Sequence, residues 1–237
     1  MKKFDDIKTV FIDLDDTIWD FTANSKVAMR MVYDKFGLQE QCPYETFIEC
    51  YLRHNSELWT LYHHGKISKD FLVTERFRVV FEECAIKFDD AAFPAMINNE
   101  YLETIVTLEK VVDGAPELLS HLKQRGPVYI LSNGFKNLQY RKLKSGKLDG
   151  FIDKLVLSDD INVTKPDRRL FDYALDVVGG SAETTVMIGD NYDADILGAH
   201  NAGWKTIFFD RTNCETPGNV FDQIGRASCR ERVYVLV

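Results

Sequence analysis

Four short apolar runs in this chain each stop on a polar cluster, and helical patterns fill the intervals between them. Residues 10–12 (Val-Phe-Ile) end on Asp13, Asp15 and Asp16, and residues 127–131 run into Ser132-Asn133-Gly134. Residues 154–157 lead to Ser158-Asp159-Asp160, with Lys165 close behind, and residues 185–188 end on Gly189-Asp190, followed by Asp193 and Asp195. Runs without polar alternation are those of strands buried on both faces. Residues 117–124, 136–144, 166–178 and 193–201 read as helices. This alternation predicts an α/β fold with a doubly wound parallel sheet. Right-handed crossovers bring the carboxyl ends of its strands to one edge, where ligands of such sheets bind. Asp13, Asp15, Ser132, Lys165, Asp190 and Asp195 are therefore expected around one cleft, although an isolated Asp pair after a strand also serves as an ordinary turn or cap.

Electrostatics states what such a cluster requires. Two carboxylates about 5 Å apart at an effective dielectric near 20 repel by roughly 3 kcal/mol, and further acids multiply the pairs. A cation is needed. Oxygen donors without neighbouring His or Cys indicate a hard ion, and a few carboxylates suit Mg²⁺ better than a dedicated Ca²⁺ cage. Lys165 and the Ser132-Asn133-Gly134 turn add a positive charge, a hydroxyl and backbone donors, which suit an anionic substrate.

The same residues carry a resemblance. Asp13-Leu14-Asp15-Asp16-Thr17, Ser132-Asn133, Lys165 and the Gly189–Asp195 pattern G-D-x-x-x-x-D resemble, in order, the four motifs of the haloacid dehalogenase-like hydrolase superfamily. Within it, residues 57–68 (E-L-W-T-L-Y-H-H-G-K-I-S), 75–77 (E-R-F) and 132–139 (S-N-G-F-K-N-L-Q) are similar to the YjjG-type nucleoside 5′-monophosphatases. The resemblance implies a Rossmann-like core with a helical cap inserted after the first strand. It further implies Mg²⁺-dependent hydrolysis of small phosphate monoesters through an aspartyl-phosphate. Asp13 would then be the nucleophile, and Asp15 the acid and base for the leaving group and the water. Mg²⁺ would be held by Asp13, the backbone carbonyl of Asp15, and Asp190. Asp195 would support the metal shell or Lys165. Ser132 and Lys165 would bind phosphoryl oxygens, with Thr17, Asn133 and Gly134 on the substrate side, Thr17 supporting the first loop.

The acid at Asp15 excludes the namesake dehalogenation, in which chloride leaves without a proton. Phosphonate cleavage would want a cap lysine able to form a Schiff base, whereas Lys26, Lys66, Lys69 and Lys87 read as solvated helix residues. Two alternatives stay open: a sugar-phosphate phosphatase or phosphomutase, and a phosphate-binding relative without turnover.

Between the first two motifs, residues 21–110 carry apolar residues at helical spacing with no strand pattern, which predicts a cap of four or five helices. The core is expected to comprise 1–20 and 111–223. Trp19, Phe21, Trp59, Tyr62 and His63 or His64 could flank a leaving group, but i, i+3 spacing makes Trp59 and Tyr62 better candidates for the cap's own core. The adjacent histidines face different directions and make no metal site.

At 237 residues and 45% hydrophobic content the chain can bury a substantial core. The formal charge of −8 and the lack of a basic patch exclude binding to a nucleic acid polymer. No apolar stretch long enough to span a membrane and no leader pattern appears, and five cysteines without metal spacing read as reduced thiols, so a cytoplasmic monomer or weak dimer is expected. Residues 224–233 (I-G-R-A-S-C-R-E-R-V) look like a translated sequencing adapter, so 224–237 is set aside as a suspected non-native tail. Removing its three arginines and Glu231 takes the charge from −8 to −10, and every motif lies upstream.

Overall fold

The computed structural model describes residues 6–211 and the backbone of 224–227. Six strands form one all-parallel sheet in the order β3-β2-β1-β4-β5-β6. They are β1 (Thr9–Ile12), β2 (Val128–Ser132), β3 (Lys154–Leu157), β4 (Thr185–Gly189), β5 (Lys205–Phe209) and β6 (Ile224–Ala227). Four of these are the expected runs. β5 is not among them, although residues 206–209 (Thr-Ile-Phe-Phe) have the same apolar character and their order in the chain, after a helix, called for a strand. β6 lies inside the segment set aside as foreign. A short edge strand is held by backbone hydrogen bonds that any sequence offers, so its pairing does not bear on the origin of the tail.

The chain forms two compact units, one gathering residues up to Asp20 and from Lys110 onward, the other Phe21–Glu109. In the first, strand order reverses at β1: the connection to β2 goes to one side and β4 arrives on the other. Such a switch point opens a crevice at the carboxyl ends of the strands. Helices α5 (Ala115–Arg125), α6 (Lys136–Ser145), α7 (Arg168–Val178) and the short α8 (Gly198–Asn201) lie between strands. On one face of the sheet Phe11, Leu131, Val156 and Met187 bury against Leu170, Phe171, Ala199 and Trp204. α7 starts at Arg168 rather than 166 because the Asp167 side chain caps it, accepting from Arg169 N at 2.9 Å. The expected helix over 193–201 is a π-helical turn over Tyr192–Leu197 continuing into α8.

The inserted unit holds α1 (Phe21–Lys35), α2 (Tyr44–His63), α3 (Lys69–Glu83) and α4 (Phe93–Ile105), with no strand among its described residues. Phe47, Tyr51, Phe77, Phe81 and Tyr101 form an aromatic core, with Tyr51–Phe77 and Tyr51–Tyr101 ring centroids both 5.5 Å apart. Trp59 and Tyr62 are not in it. They are half-buried and pack on each other at 5.7 Å, with Trp59 also 5.5 Å from the His63 ring, because α2 buries the Phe47, Tyr51, Asn55 and Leu58 stripe instead. Where the insert leaves and rejoins the core, Asp20 N donates to Lys110 O at 3.1 Å and Trp19 bridges Val111.

Candidate active site

β1 ends at Ile12, but Asp13 N donates to Ile188 O at 2.8 Å, so the ladder runs one residue further and places Asp13 beside the end of β4. Asp13 is 8% exposed. Lys165, on the segment before α7, reaches it. The Lys165 ammonium donates to Asp13 Oδ1 at 2.6 Å, Asp195 Oδ1 at 2.6 Å and Leu131 O at 2.7 Å, which uses all three of its protons. Asp195 stands on the π-helical turn, where Asn191 N donates to its Oδ2 at 3.1 Å. A Cβ at Gly189 would lie 2.2 Å from that Oδ2, so only glycine lets the carboxylate approach the end of β4 so closely. Thr17 Oγ1 donates to Asp190 Oδ1 at 3.2 Å and accepts from Asp190 N at 3.1 Å, tying the first loop to the end of β4.

Carboxylate oxygens of Asp13, Asp190 and Asp195 lie within 4.8 Å of one another. Burial pushes the Asp13 carboxyl up to about 7; the Lys165 charge opposes this, and Asp195 and Asp15 add to it. Burial, with the charges of Asp13, Asp195 and Asp16, lifts Asp190 well above the usual carboxylate range. Burial works against the Lys165 ammonium, but Asp13 and Asp195 hold its pKa above the ordinary lysine value. Two of the three acids thus share Lys165, Asp190 does not pair with it, and the oxygen-only donor set of all three fits a hard divalent cation.

A second network surrounds Asp15. Lys142 Nζ donates to its two carboxylate oxygens at 2.7 and 2.9 Å, and Gln139 Nε2 donates to Oδ2 at 2.8 Å and to Ser132 Oγ at 2.6 Å. Sequence reasoning gave neither α6 residue a role. The available signal was two long polar side chains three apart, on the same helix stripe as the apolar Leu143. Arg211 likewise went unnoticed: its guanidinium donates to Asp16 Oδ1 at 2.8 Å and pairs with Asp20 Oδ2 at 3.2 Å, bracing the first loop.

The structure therefore brings Asp13, Lys165, Asp190 and Asp195 together, with Thr17 bonded to Asp190, and links Asp15 to Ser132 through Gln139. It also shows what the polar groups of Asn133 and Gly134 bond to. The Asn133 amide brackets the Lys165 backbone, accepting from Lys165 N at 2.7 Å and donating to Lys165 O at 3.0 Å. Gly134 N donates inward to Ser132 Oγ at 3.1 Å.

Residues 7–203 match the family model described as haloacid dehalogenase-like hydrolase. The chain belongs to that family. Among its relatives, the HAD-hydrolase YfnB of Bacillus subtilis is 30% identical over 89% of this chain and 86% of its own length. A crystal structure of YfnB bound to magnesium superposes with a TM-score of 0.81 at 30% identity, covering 90% of this chain and 92% of that one. The pyrimidine 5′-nucleotidase YjjG of Escherichia coli is 29% identical over 89% of each chain. The glyceraldehyde 3-phosphate phosphatase of Pyrococcus furiosus is 29% identical over 86% of this chain and 80% of its own. Among the described residues no helix is long and apolar enough to cross a membrane.

Proposed function

We propose that this family member is a Mg²⁺-dependent phosphatase of small phosphate monoesters, with nucleoside 5′-monophosphates as its foremost substrates, acting through an aspartyl-phosphate on Asp13. The enzyme is a phosphoric monoester hydrolase. The observation that carries the mechanism is the buried Asp13 carboxylate, held by Lys165 at 2.6 Å and with oxygens of Asp190 and Asp195 within 4.8 Å, while a second carboxylate, Asp15, stands on a separate hydrogen-bond network.

An Asp13 oxygen attacks phosphorus as the bond to the leaving oxygen breaks. The electron pair of that bond goes to the leaving oxygen, which takes a proton from Asp15. Water then attacks the phosphorus of the acyl phosphate and passes its proton to Asp15, and the P–O bond to Asp13 breaks to restore the carboxylate. Lys165 holds Asp13 in line and places a positive charge beside the equatorial oxygens, to which the Ser132 hydroxyl can donate while Gln139 and Gly134 donate to its oxygen. Mg²⁺, held by Asp13, Asp190 and the Asp15 carbonyl, would neutralise phosphate charge as Lewis acid when bound. Asp195 acts through Lys165, which it orients.

Nucleotides lead because YjjG, similar over most of its length, is a pyrimidine 5′-nucleotidase. Phosphorylated sugars are the second reading, favoured by the glyceraldehyde 3-phosphate phosphatase relative. The free thiols of Cys42, Cys50 and Cys84 suit a reducing, cytoplasmic setting; Cys214 and Cys229 lie outside the described residues. The test is phosphate release with Mg²⁺ from a panel of pyrimidine and purine monophosphates, their deoxy forms and sugar phosphates. Nucleotides are expected to rank first in kcat/KM, and a clear lead for sugar phosphates overturns that choice. Asp13→Asn, folded by circular dichroism, should lose at least about 10³-fold in kcat; retained turnover displaces Asp13 as the nucleophile.

A further inference from the structure

We infer that Gln139 and Lys142, three residues apart on α6, are positioning residues for the Asp15 carboxylate, and that Gln139 couples this carboxylate to Ser132. Both side chains point from one face of the helix into the site, Gln139 0% and Lys142 4% exposed. Between them they engage both carboxylate oxygens: Oδ1 through Lys142, Oδ2 through Lys142 and Gln139. An aspartate on a loop has two torsions to fix, and donors from a packed helix fix both, which a single ion pair to a mobile lysine would not.

Two further contacts make the arrangement rigid. The Lys142 ammonium sits 5.1 Å from the centroid of the Trp19 ring, and Trp19 is fully buried four residues along the same loop. Gln139 Nε2 can bridge Asp15 and Ser132 because residue 134 has no side chain: a Cβ there would lie 2.0 Å from that nitrogen. Burying an ammonium is costly, and an apolar residue at 142 would pack without that cost. The charge is therefore explained by its partner, the one carboxylate that must face the leaving oxygen. Gln139 adds a link between the groups on the two sides of the transferring phosphoryl, the Ser132 hydroxyl and the acid.

This rests on the reading of Asp15 as proton donor to the leaving group, and the experiment separates the two. We would measure kcat/KM, which covers steps up to departure of the leaving group, for uridine 5′-monophosphate and p-nitrophenyl phosphate. The first expels an alkoxide that needs a proton; the second expels a nitrophenolate that does not. Asp15→Asn should lose far more on the nucleotide, by about 10²-fold or more. Equal losses there end the proton-donor reading and this inference with it. Given that discrimination, Lys142→Met should lose about 10-fold more on the nucleotide than on p-nitrophenyl phosphate, and Lys142→Arg should recover most of it. Equal loss on both substrates, no loss, or no recovery by arginine overturns the positioning role while leaving Asp15 in place. Asp15 is 27% exposed at its side chain and can hydrate once unpaired, so Lys142→Met should fold. If it does not, Gln139→Leu gives the same comparison, and equal losses on both substrates overturn the inference.

Discussion

Asn133 shows how one residue can support a site through a neighbour's backbone. Its amide satisfies the Lys165 backbone N–H and C=O at once, and Lys165 then spends its three protons on Asp13, Asp195 and Leu131. Asn133→Ala should leave both backbone groups buried and unpaired, costing about 1–3 kcal/mol in a urea titration. Because Lys165 would also drift from Asp13, kcat should fall about 10-fold or more; unchanged stability and rate would remove Asn133 from the supporting role. At this scale the sequence made the carboxylates legible, since acids ending apolar runs have few structural reasons to be there. It did not show that Asn133 braces a neighbour, nor that Gln139 and Lys142 reach Asp15. Those roles depend on side-chain directions that arise only when β2 and α6 are packed against the loop after β1.

Among the elements, the π-helical turn over Tyr192–Leu197 is the least expected and the most constrained. Regular spacing in 193–201 suggested an ordinary helix, but the chain must first bring Asp195 back to Lys165 and to Asn191 N, and a wider turn accomplishes that. Gly189 makes the return possible. Gly189→Ala would drive a methyl into the Asp195 carboxylate, so we expect about 2–4 kcal/mol of destabilisation and weaker Mg²⁺ binding by calorimetry. Wild-type values for both would show that the turn accommodates a side chain. The strands were readable because continuous apolar runs mark parallel strands buried on both faces. The exception, β5, carried the same signal, and the aromatic pair of α2 misled because i, i+3 spacing identifies a helix face without saying which face is buried.

For the whole molecule, excess buried acid sets a pH response. The Asp13 carboxyl is raised from 3.8 to about 7, so between those values the folded state binds more protons than the unfolded one and stability falls as pH rises. In EDTA, Asp13→Asn should therefore be increasingly more stable than wild type from about pH 4.5 to pH 7, by a few degrees in melting temperature at the upper end. Mg²⁺ competes with those protons, so its stabilising effect on the wild type should grow over the same interval. A difference that stays flat with pH would mean that the acids are already compensated. The parallel topology has one more consequence. Thr17 and Asp190, bonded to each other, are 173 residues apart in the chain, and nascent polypeptides emerge from the ribosome amino end first. Asp13 and Asp15 leave the ribosome long before Asp190, so on the proposed mechanism a nascent chain that has not yet emerged as far as β4 is expected to hydrolyse no phosphate ester.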